Sequence, residues 1–246
     1  MNFKQFLFDF LISKIYRVYL ATNTKFQPLE LGNSEKCLCL APHPDDESIG
    51  MGGTLIKKGE NFDVICMTNG TGGIGGDSNQ EKINIRKSEF EQAMQKLKLN
   101  SYSFFEQSED RELVLNSKEF KGLNLEDYDY IFIPNIIDQH RDHKAVSILL
   151  KEFLKYKKHK KSLKIAFYEV WQTLALPNYY VDISDVVEAK KDLIRAYKSQ
   201  LESKDYTSKI IGLNNYRGLI PNSDYAEAFL VVDISMFKEI CKIYKI

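Results

Sequence analysis

Short apolar runs alternate with longer amphipathic stretches along most of the chain. The apolar runs predict β-strands at residues 36–41, 62–68, 102–105, 129–134, 163–170 and 179–183. The amphipathic stretches predict helices at residues 50–58, 81–98, 143–156 and 184–202. Strands that alternate with helices indicate a largely parallel sheet covered by helices. We therefore expect an α/β, Rossmann-like fold in which the functional site lies at the carboxyl ends of the strands.

The first 20 residues follow a different pattern. Apolar residues that can share one helical face are Phe3, Phe6, Phe10, Ile15 and Val18. We therefore divide the chain into an amphipathic helical extension, residues 1–30, and one domain, residues 31–246. The extension is expected to pack on the domain or on a second copy of the chain in a homo-oligomer. Peripheral membrane contact through residues 1–20 is the alternative.

Composition and charge narrow the class of protein. Hydrophobic residues make up 43% of the chain and charged residues 28%, which is typical of soluble globular proteins. The 34 Lys and Arg residues balance the 34 Asp and Glu residues, so there is no basic excess for nucleic-acid binding. The four cysteines are Cys37, Cys39, Cys66 and Cys241; zinc binding by Cys37 and Cys39 is not favoured, because no second cysteine pair accompanies them. We expect free thiols and a cytoplasmic location, with membrane association left open.

Two polar clusters follow predicted strands. His43, Asp45 and Asp46 come directly after the strand at 36–41, and His140 and His143 follow the strand at 129–134. Carboxylates are rarely buried without a partner, so the first cluster indicates chemistry rather than packing. His43, Asp46 and one histidine of the second cluster would form a catalytic zinc site with an open position for water. Asp45 would then be available as a base.

These clusters carry a resemblance to a known family. The string His43-Pro44-Asp45-Asp46-Glu47, the following Gly52-Gly53-Thr54 and the distant His140-Arg141-Asp142-His143 resemble the PIG-L / LmbE-like family of zinc-dependent N-deacetylases. Further matches are Thr68-Asn69-Gly70, Arg86 with Glu89, and Ala226-Glu227-Ala228-Phe229. The resemblance therefore covers nearly all of the chain except the N-terminal extension.

The resemblance implies a role for each of these residues. One Zn²⁺ ion, with Fe²⁺ or another divalent metal as an alternative, would be bound by His43, Asp46 and His143. Asp45 would be the general base, a protonated His140 would stabilise the oxyanion, and Asp142 would orient His140. The residues assigned to substrate binding are Glu47, Asn69, Arg86, Arg141, Arg217, Tyr225 and Glu227. Two positions depart from the usual pattern: Arg141 replaces a proline, and Asp138 stands where some members have a tyrosine.

The implied activity is removal of an acetyl group from an N-acetylated sugar conjugate of the N-acetylglucosamine type, releasing acetate and a free amine. The conjugate would be a small molecule or be linked to a lipid or glycan. A non-haem iron(II) enzyme uses the same two-histidine, one-carboxylate set, and a metal-stabilised sugar-binding module without catalysis is a further alternative. Two side chains have two possible roles each. Arg86 either pairs with Glu89 on the surface or turns inward toward the substrate, and Trp171 either stacks on a sugar or packs within the protein.

Overall fold

The computed structural model describes residues 7–8, 10–11, 25–73, 78–107, 122–201 and 205–246, apart from the side chains of residues 106 and 107. Its strands are β1 (Gln27–Pro28), β2 (Cys37–Ala41), β3 (Phe62–Thr68), β4 (Ser101–Gln107), β5 (Tyr130–Pro134), β6 (Lys164–Tyr168), β7 (Tyr179–Asp182) and β8 (Ala226–Asp233). Its α-helices are α1 (Asp46–Lys58), α2 (Asn79–Met94), α3 (Arg141–Tyr156), α4 (Val187–Ile194), α5 (Lys198–Leu201), α6 (Tyr206–Gly218) and α7 (Ile234–Ile243).

The strands form one sheet in the order β1-β7-β8-β6-β5-β2-β3-β4. Neighbouring strands are parallel except at β8, which runs antiparallel to both β6 and β7. This arrangement confirms the predicted α/β fold with a largely parallel sheet. The sequence pattern did not predict β8, α6 or α7. The helix predicted at residues 184–202 is divided into a 3₁₀ turn, Ser184–Val186, followed by α4 and α5.

The core lies on both faces of the sheet. Alternate residues of β2 face opposite layers: Cys37 and Cys39 belong to one apolar cluster, and Leu38 and Leu40 belong to the other. Helices α1, α2 and α4 cover the first face, and α3 and α7 cover the second. Burial on both faces explains why the central strands are continuous apolar runs. All four cysteines are free thiols, as predicted, and all four are buried.

Close contact between α1 and the sheet depends on a glycine. A Cβ atom on Gly50 would lie 2.3 Å from Cδ2 of Tyr168 and 2.9 Å from the carbonyl oxygen of Glu169. Any larger residue would push the first turn of α1 away from the end of β6. Strands β5, β2 and β3 are adjacent and parallel, so the segments that follow them emerge at one edge of the sheet.

Most of the predicted N-terminal extension lies outside the described residues. Residues 7–8 and 10–11 are helical and exposed. Within the described part of the chain, no helix combines the length and the apolar character needed to cross a bilayer.

Candidate active site

The first motif forms the turn between β2 and α1. Asp45 precedes the helix with φ of 126°, a backbone conformation that is uncommon for a residue other than glycine. Asp46 begins the helix, and its Oδ2 accepts the backbone N–H of His43 at 2.9 Å. The same oxygen lies 3.1 Å from Nδ1 of His43. The tight turn therefore holds the imidazole of His43 within hydrogen-bond distance of the Asp46 carboxylate.

The second motif forms the turn between β5 and α3. His140 is the N-cap of α3, and its Nδ1 accepts the backbone N–H of Asp142 at 3.3 Å. His143 lies in the first turn of α3 and is fully buried, with Nε2 3.2 Å from Oδ2 of Asp46. The rings of His43, His140 and His143 lie 4.6 to 5.3 Å apart. The two motifs thus meet at one edge of the sheet, as expected from the parallel strands.

Two of these histidines also contact a second carboxylate. Nδ1 of His143 lies 3.1 Å from Oδ2 of Asp138, and Nε2 of His43 lies 3.1 Å from Oδ2 of Asp142. A carboxylate behind a histidine is the usual arrangement at metal sites, where it fixes the tautomer and orientation of the ring. Asp142 was predicted to orient His140. The structure instead places its carboxylate 3.1 Å from Nε2 of His43, while its backbone N–H donates to Nδ1 of His140.

The residues present fit a metal ion. His43, His140 and His143 can each offer a ring nitrogen, and these atoms lie within 4.8 Å of one another. Oδ1 of Asp46 and Nε2 of His143 are buried atoms without a hydrogen bond of good geometry in the described structure, although Nε2 of His143 lies 3.2 Å from the other carboxylate oxygen of Asp46. Buried polar atoms without a good hydrogen bond cost free energy, and a divalent cation held by Asp46 and His143 would satisfy both. Nitrogen and carboxylate oxygen donors are ligands that zinc accepts.

The surroundings set the charges of these groups. Burial disfavours a charged imidazole, but the carboxylates of Asp46 and Asp138 raise the pKa of His143 to about 9. Burial would raise the pKa of Asp46, but His143 and His43 hold it well below its usual range. Burial and the neighbouring histidines lower the pKa of His140 below its ordinary value. Both effects favour the neutral form of His140, whereas a protonated His140 was expected from the family resemblance; the protonated form stays a prediction. Because its Nδ1 accepts a hydrogen bond, its proton lies on Nε2.

Asp45 lies beside the metal-binding groups in a buried ion pair. Nη2 of Arg86 is 3.2 Å from Oδ2 of Asp45, and it also donates to the carbonyl oxygen of Pro44. Burial raises the pKa of Asp45 to about 7, even though Arg86 acts in the opposite direction. Nη1 of Arg86 lies 3.5 Å from Glu89, but Arg86 is only 2% exposed. The pair with Glu89 is thus not a surface pair, and Arg86 turns inward.

A cavity of about 450 Å³ opens over these groups. Its lining residues are His43, Asp45, Asp46, Gly70, Gly72, Gly73, Arg86, His140, Trp171, Gln200 and Tyr206. Gly70 has φ of 66°, and a Cβ atom there would lie 2.6 Å from Cδ of Pro44. Neither Gln200 nor Tyr206 was predicted from the sequence as a site residue. No motif marks them, because they come from α5 and the start of α6, far along the chain.

Three other predicted substrate-binding residues lie near the cavity without lining it. Glu47 is fully buried and accepts hydrogen bonds from the hydroxyls of Ser48 and Tyr197. Asn69 is buried, and its Oδ1 accepts the hydroxyl of Thr71 at 3.0 Å. Arg141 is exposed and approaches the carboxylate of Asp142 at 3.4 Å. Glu47 and Asn69 therefore support the wall of the cavity, whereas Arg141 is the exposed residue of the second motif.

The structure does not bring Arg217, Tyr225 or Glu227 to the cavity. Arg217 pairs with Glu169 and donates to a backbone carbonyl oxygen. Tyr225 lines a separate hollow between α4 and α6. Glu227 is fully buried, and its carboxylate accepts the backbone N–H groups of Gly53 and Thr54 at 2.7 Å. Those N–H groups follow a break in α1 at Met51, so Glu227 caps the second part of that helix.

Comparisons with known proteins agree with this geometry. Residues 38–154 match the PIG-L family model, described as GlcNAc-PI de-N-acetylase. The diacetylchitobiose deacetylase of Thermococcus kodakarensis is 27% identical over 240 residues, covering 84% of this chain and 86% of the relative. Similar solved structures include the N,N′-diacetylchitobiose deacetylase of Pyrococcus horikoshii, with a TM-score of 0.71, 24% identity and coverage of 98% of this chain and 95% of that chain. The 4-carboxy-2-hydroxymuconate hydratase of Pseudomonas putida has a TM-score of 0.63, 18% identity and coverage of 80% and 96%.

Proposed function

Since residues 38–154 are a domain of the PIG-L / LmbE-like deacetylase family, we propose that the protein is a metal-dependent hydrolase that removes the acetyl group from an N-acetylglucosamine-type sugar. The observation that carries this proposal is the convergence of His43, Asp46 and His143 beside Asp45, with buried atoms of Asp46 and His143 that lack a hydrogen bond of good geometry. The substrate class is supported by the relative named as a diacetylchitobiose deacetylase.

The metal ligands in this proposal are His43, Asp46 and His143. A divalent ion such as Zn²⁺ would polarise the substrate carbonyl and lower the pKa of a bound water toward about 7. His140 is placed outside the ligand set, because it is exposed at the cavity and its Nδ1 is engaged by the N-terminus of α3.

Side chains of the protein then carry out the proton transfers and stabilise the oxyanion. Asp45 accepts a proton from the water molecule while the oxygen of that water bonds to the acetyl carbonyl carbon. The Nε2–H of His140 donates to the oxygen that gains negative charge, and such a donor contributes about 3 to 4 kcal/mol to transition-state stability. Asp45 passes its proton to the amine nitrogen as the C–N bond breaks, which gives acetate and a free amine. Arg86 holds Asp45 in place, and we retain Arg86 and Arg141 as candidate contacts for sugar hydroxyls.

The fold does not decide the chemistry by itself, because a hydratase shares it. An iron(II) enzyme with the same ligands would require no general base next to the metal. The place of Asp45 in the cavity, next to the proposed ligand Asp46, favours hydrolysis, because an unliganded carboxylate there can act as the base.

The test is a direct assay on the metal-loaded protein. Incubation with N-acetylglucosamine and with N,N′-diacetylchitobiose should release acetate and free amine in equal amounts. A chelator should abolish this activity, and added Zn²⁺ should restore it. Asp45→Asn should keep its metal and lose roughly 10²- to 10⁴-fold in turnover. Near-normal turnover in that variant would remove Asp45 as the base, and the absence of acetate from both sugars would contradict the proposed function.

A further inference from the structure

One side of the cavity is aromatic. Trp171 and Tyr206, here called the aromatic wall, both line the cavity, and their ring centroids lie 5.3 Å apart with the planes inclined at 56°. Trp171 remains 43% exposed although its ring packs on Tyr206. It follows β6, at the same edge of the sheet as the two motifs. The ring is thus supported on one side and open to the cavity.

The position of Trp171 is tied to the metal site. Its backbone N–H donates to Oδ2 of Asp138 at 3.2 Å, and the same oxygen lies 3.1 Å from Nδ1 of His143. The other ring nitrogen of His143 points to Asp46. Because the two nitrogens lie on different sides of the imidazole, Trp171 is anchored on the side of His143 that faces away from Asp46. The aromatic wall is therefore adjacent to the reaction centre but outside it.

The remainder of the cavity is polar. Asp45, Arg86 and His140 line the part nearest the metal-binding groups, and the side-chain amide of Gln200 donates to the carbonyl oxygen of Gly73 at 3.2 Å. A pyranose ring has hydroxyl groups around its edge and C–H groups on its faces. A cavity with polar groups on most sides and one exposed tryptophan matches that distribution, since tryptophan offers a large, rigid apolar face at low entropic cost.

We propose that the aromatic wall binds the apolar face of a second pyranose ring, attached to the sugar whose acetamide lies at the metal site. Trp171 is then a specificity-determining residue that favours a disaccharide or longer glycan over N-acetylglucosamine alone. The inference rests on the proposed function for the nature of the first sugar.

The first test uses fluorescence, because Trp171 is the only tryptophan in the chain. Zinc-loaded Asp45→Asn protein is titrated with N-acetylglucosamine and with N,N′-diacetylchitobiose. The disaccharide should change the tryptophan emission and bind about three- to tenfold more tightly than the monosaccharide, as expected for one added aromatic contact. Equal affinities, or binding of the disaccharide without a change in emission, would overturn the inference.

The second test uses kinetics on the otherwise unchanged enzyme. Trp171→Ala should raise KM for N,N′-diacetylchitobiose about three- to tenfold, with kcat and the KM for N-acetylglucosamine nearly unchanged. Trp171→Phe should recover part of the loss. Tyr216→Ala, which removes another exposed aromatic side chain outside the cavity, should have no effect. Unchanged kinetics in a folded Trp171→Ala protein would refute the role of Trp171 while leaving deacetylation intact. If the wild-type protein releases no acetate, the titration alone decides the inference.

Discussion

Asp138→Asn is expected to weaken metal binding, although Asp138 is not itself a proposed ligand. Asp138 is fully buried, and three donors use its carboxylate. Oδ2 contacts Nδ1 of His143 at 3.1 Å and the N–H of Trp171 at 3.2 Å, and Oδ1 accepts the N–H of His140 at 2.9 Å. An asparagine would have to turn its NH₂ group toward one set of donors. Either orientation loses hydrogen bonds, and the charge that orients His143 is lost in both.

The expected magnitude follows from this geometry. Loss of the carboxylate behind a metal-binding histidine costs about 10- to 100-fold in metal affinity, which is roughly 1.4 to 2.7 kcal/mol. The stability of the metal-free protein should also fall by about 1 to 3 kcal/mol, because a buried donor is left unpaired. Zinc affinity is measured by competition with a chromophoric chelator, and stability by denaturant unfolding.

Asp63→Asn provides the matched control. The carboxylate of Asp63 also serves three donors, namely Asn100, Ser101 and the hydroxyl of Tyr128, but Asp63 lies at the start of β3, away from the cavity. That variant should lose stability without losing zinc affinity. If Asp138→Asn bound zinc as tightly as the wild-type protein, Asp138 would have no positioning role for His143. If both variants lost zinc affinity equally, the loss would be explained by general destabilisation of the protein and not by the contact between Asp138 and His143.

The remaining predictions separate ligands from neighbours. His143→Ala should lose stoichiometric zinc, whereas His140→Ala should retain it with turnover lowered by roughly 10²- to 10³-fold; metal analysis of the two purified variants decides, and zinc loss in both would favour a three-histidine site. Glu227→Gln should destabilise the protein by about 3 to 5 kcal/mol, because the fully buried Lys190 keeps its hydrogen bond to Asn214 but loses its counter-charge, and KM of the folded protein should stay unchanged. Glu239→Gln, which removes one member of a surface ion pair, should change stability by less than about 1 kcal/mol. A raised KM in Glu227→Gln would instead support the predicted substrate-binding role of Glu227.

The sequence was sufficient for the fold class and for the convergence of the two motifs. Apolar runs identify the parallel strands, and parallel strands place their carboxyl ends at one edge. It was insufficient for β8, because Glu227 near the start of Ala226–Asp233 is a residue type typical of exposed positions, whereas seven of the eight residues are buried. Its antiparallel direction is set by its position between β6 and β7. The roles of the predicted ligands and of the base stay predictions until the metal and the activity are measured.

The motifs did not predict side-chain contacts between residues that are far apart in the sequence. Asp142 is two residues from His140, which suggested that its carboxylate orients that ring, yet the first turn of α3 directs the carboxylate to His43, 99 positions away. Asp138 was noted only because a tyrosine is absent, and its contact with His143 depends on the turn after β5. Glu227 comes to the N–H groups of α1 because that helix breaks at Met51, and nothing local to Glu227 indicates this.

The contacts of Glu47 explain why the first motif continues past its two aspartates. Asp45 has a positive φ, which costs free energy in a residue with a Cβ atom. Its backbone N–H approaches Oε2 of Glu47 at 3.3 Å, while Oε1 of Glu47 accepts the hydroxyls of Ser48 at 2.6 Å and Tyr197 at 2.5 Å. The two hydroxyl donors therefore fix the Glu47 carboxylate in place. Its second oxygen contacts the backbone N–H of Asp45 and stabilises the strained turn. The strain at Asp45 is maintained by a carboxylate that does not line the cavity, so substitution of Glu47 would displace the proposed base without touching substrate or metal.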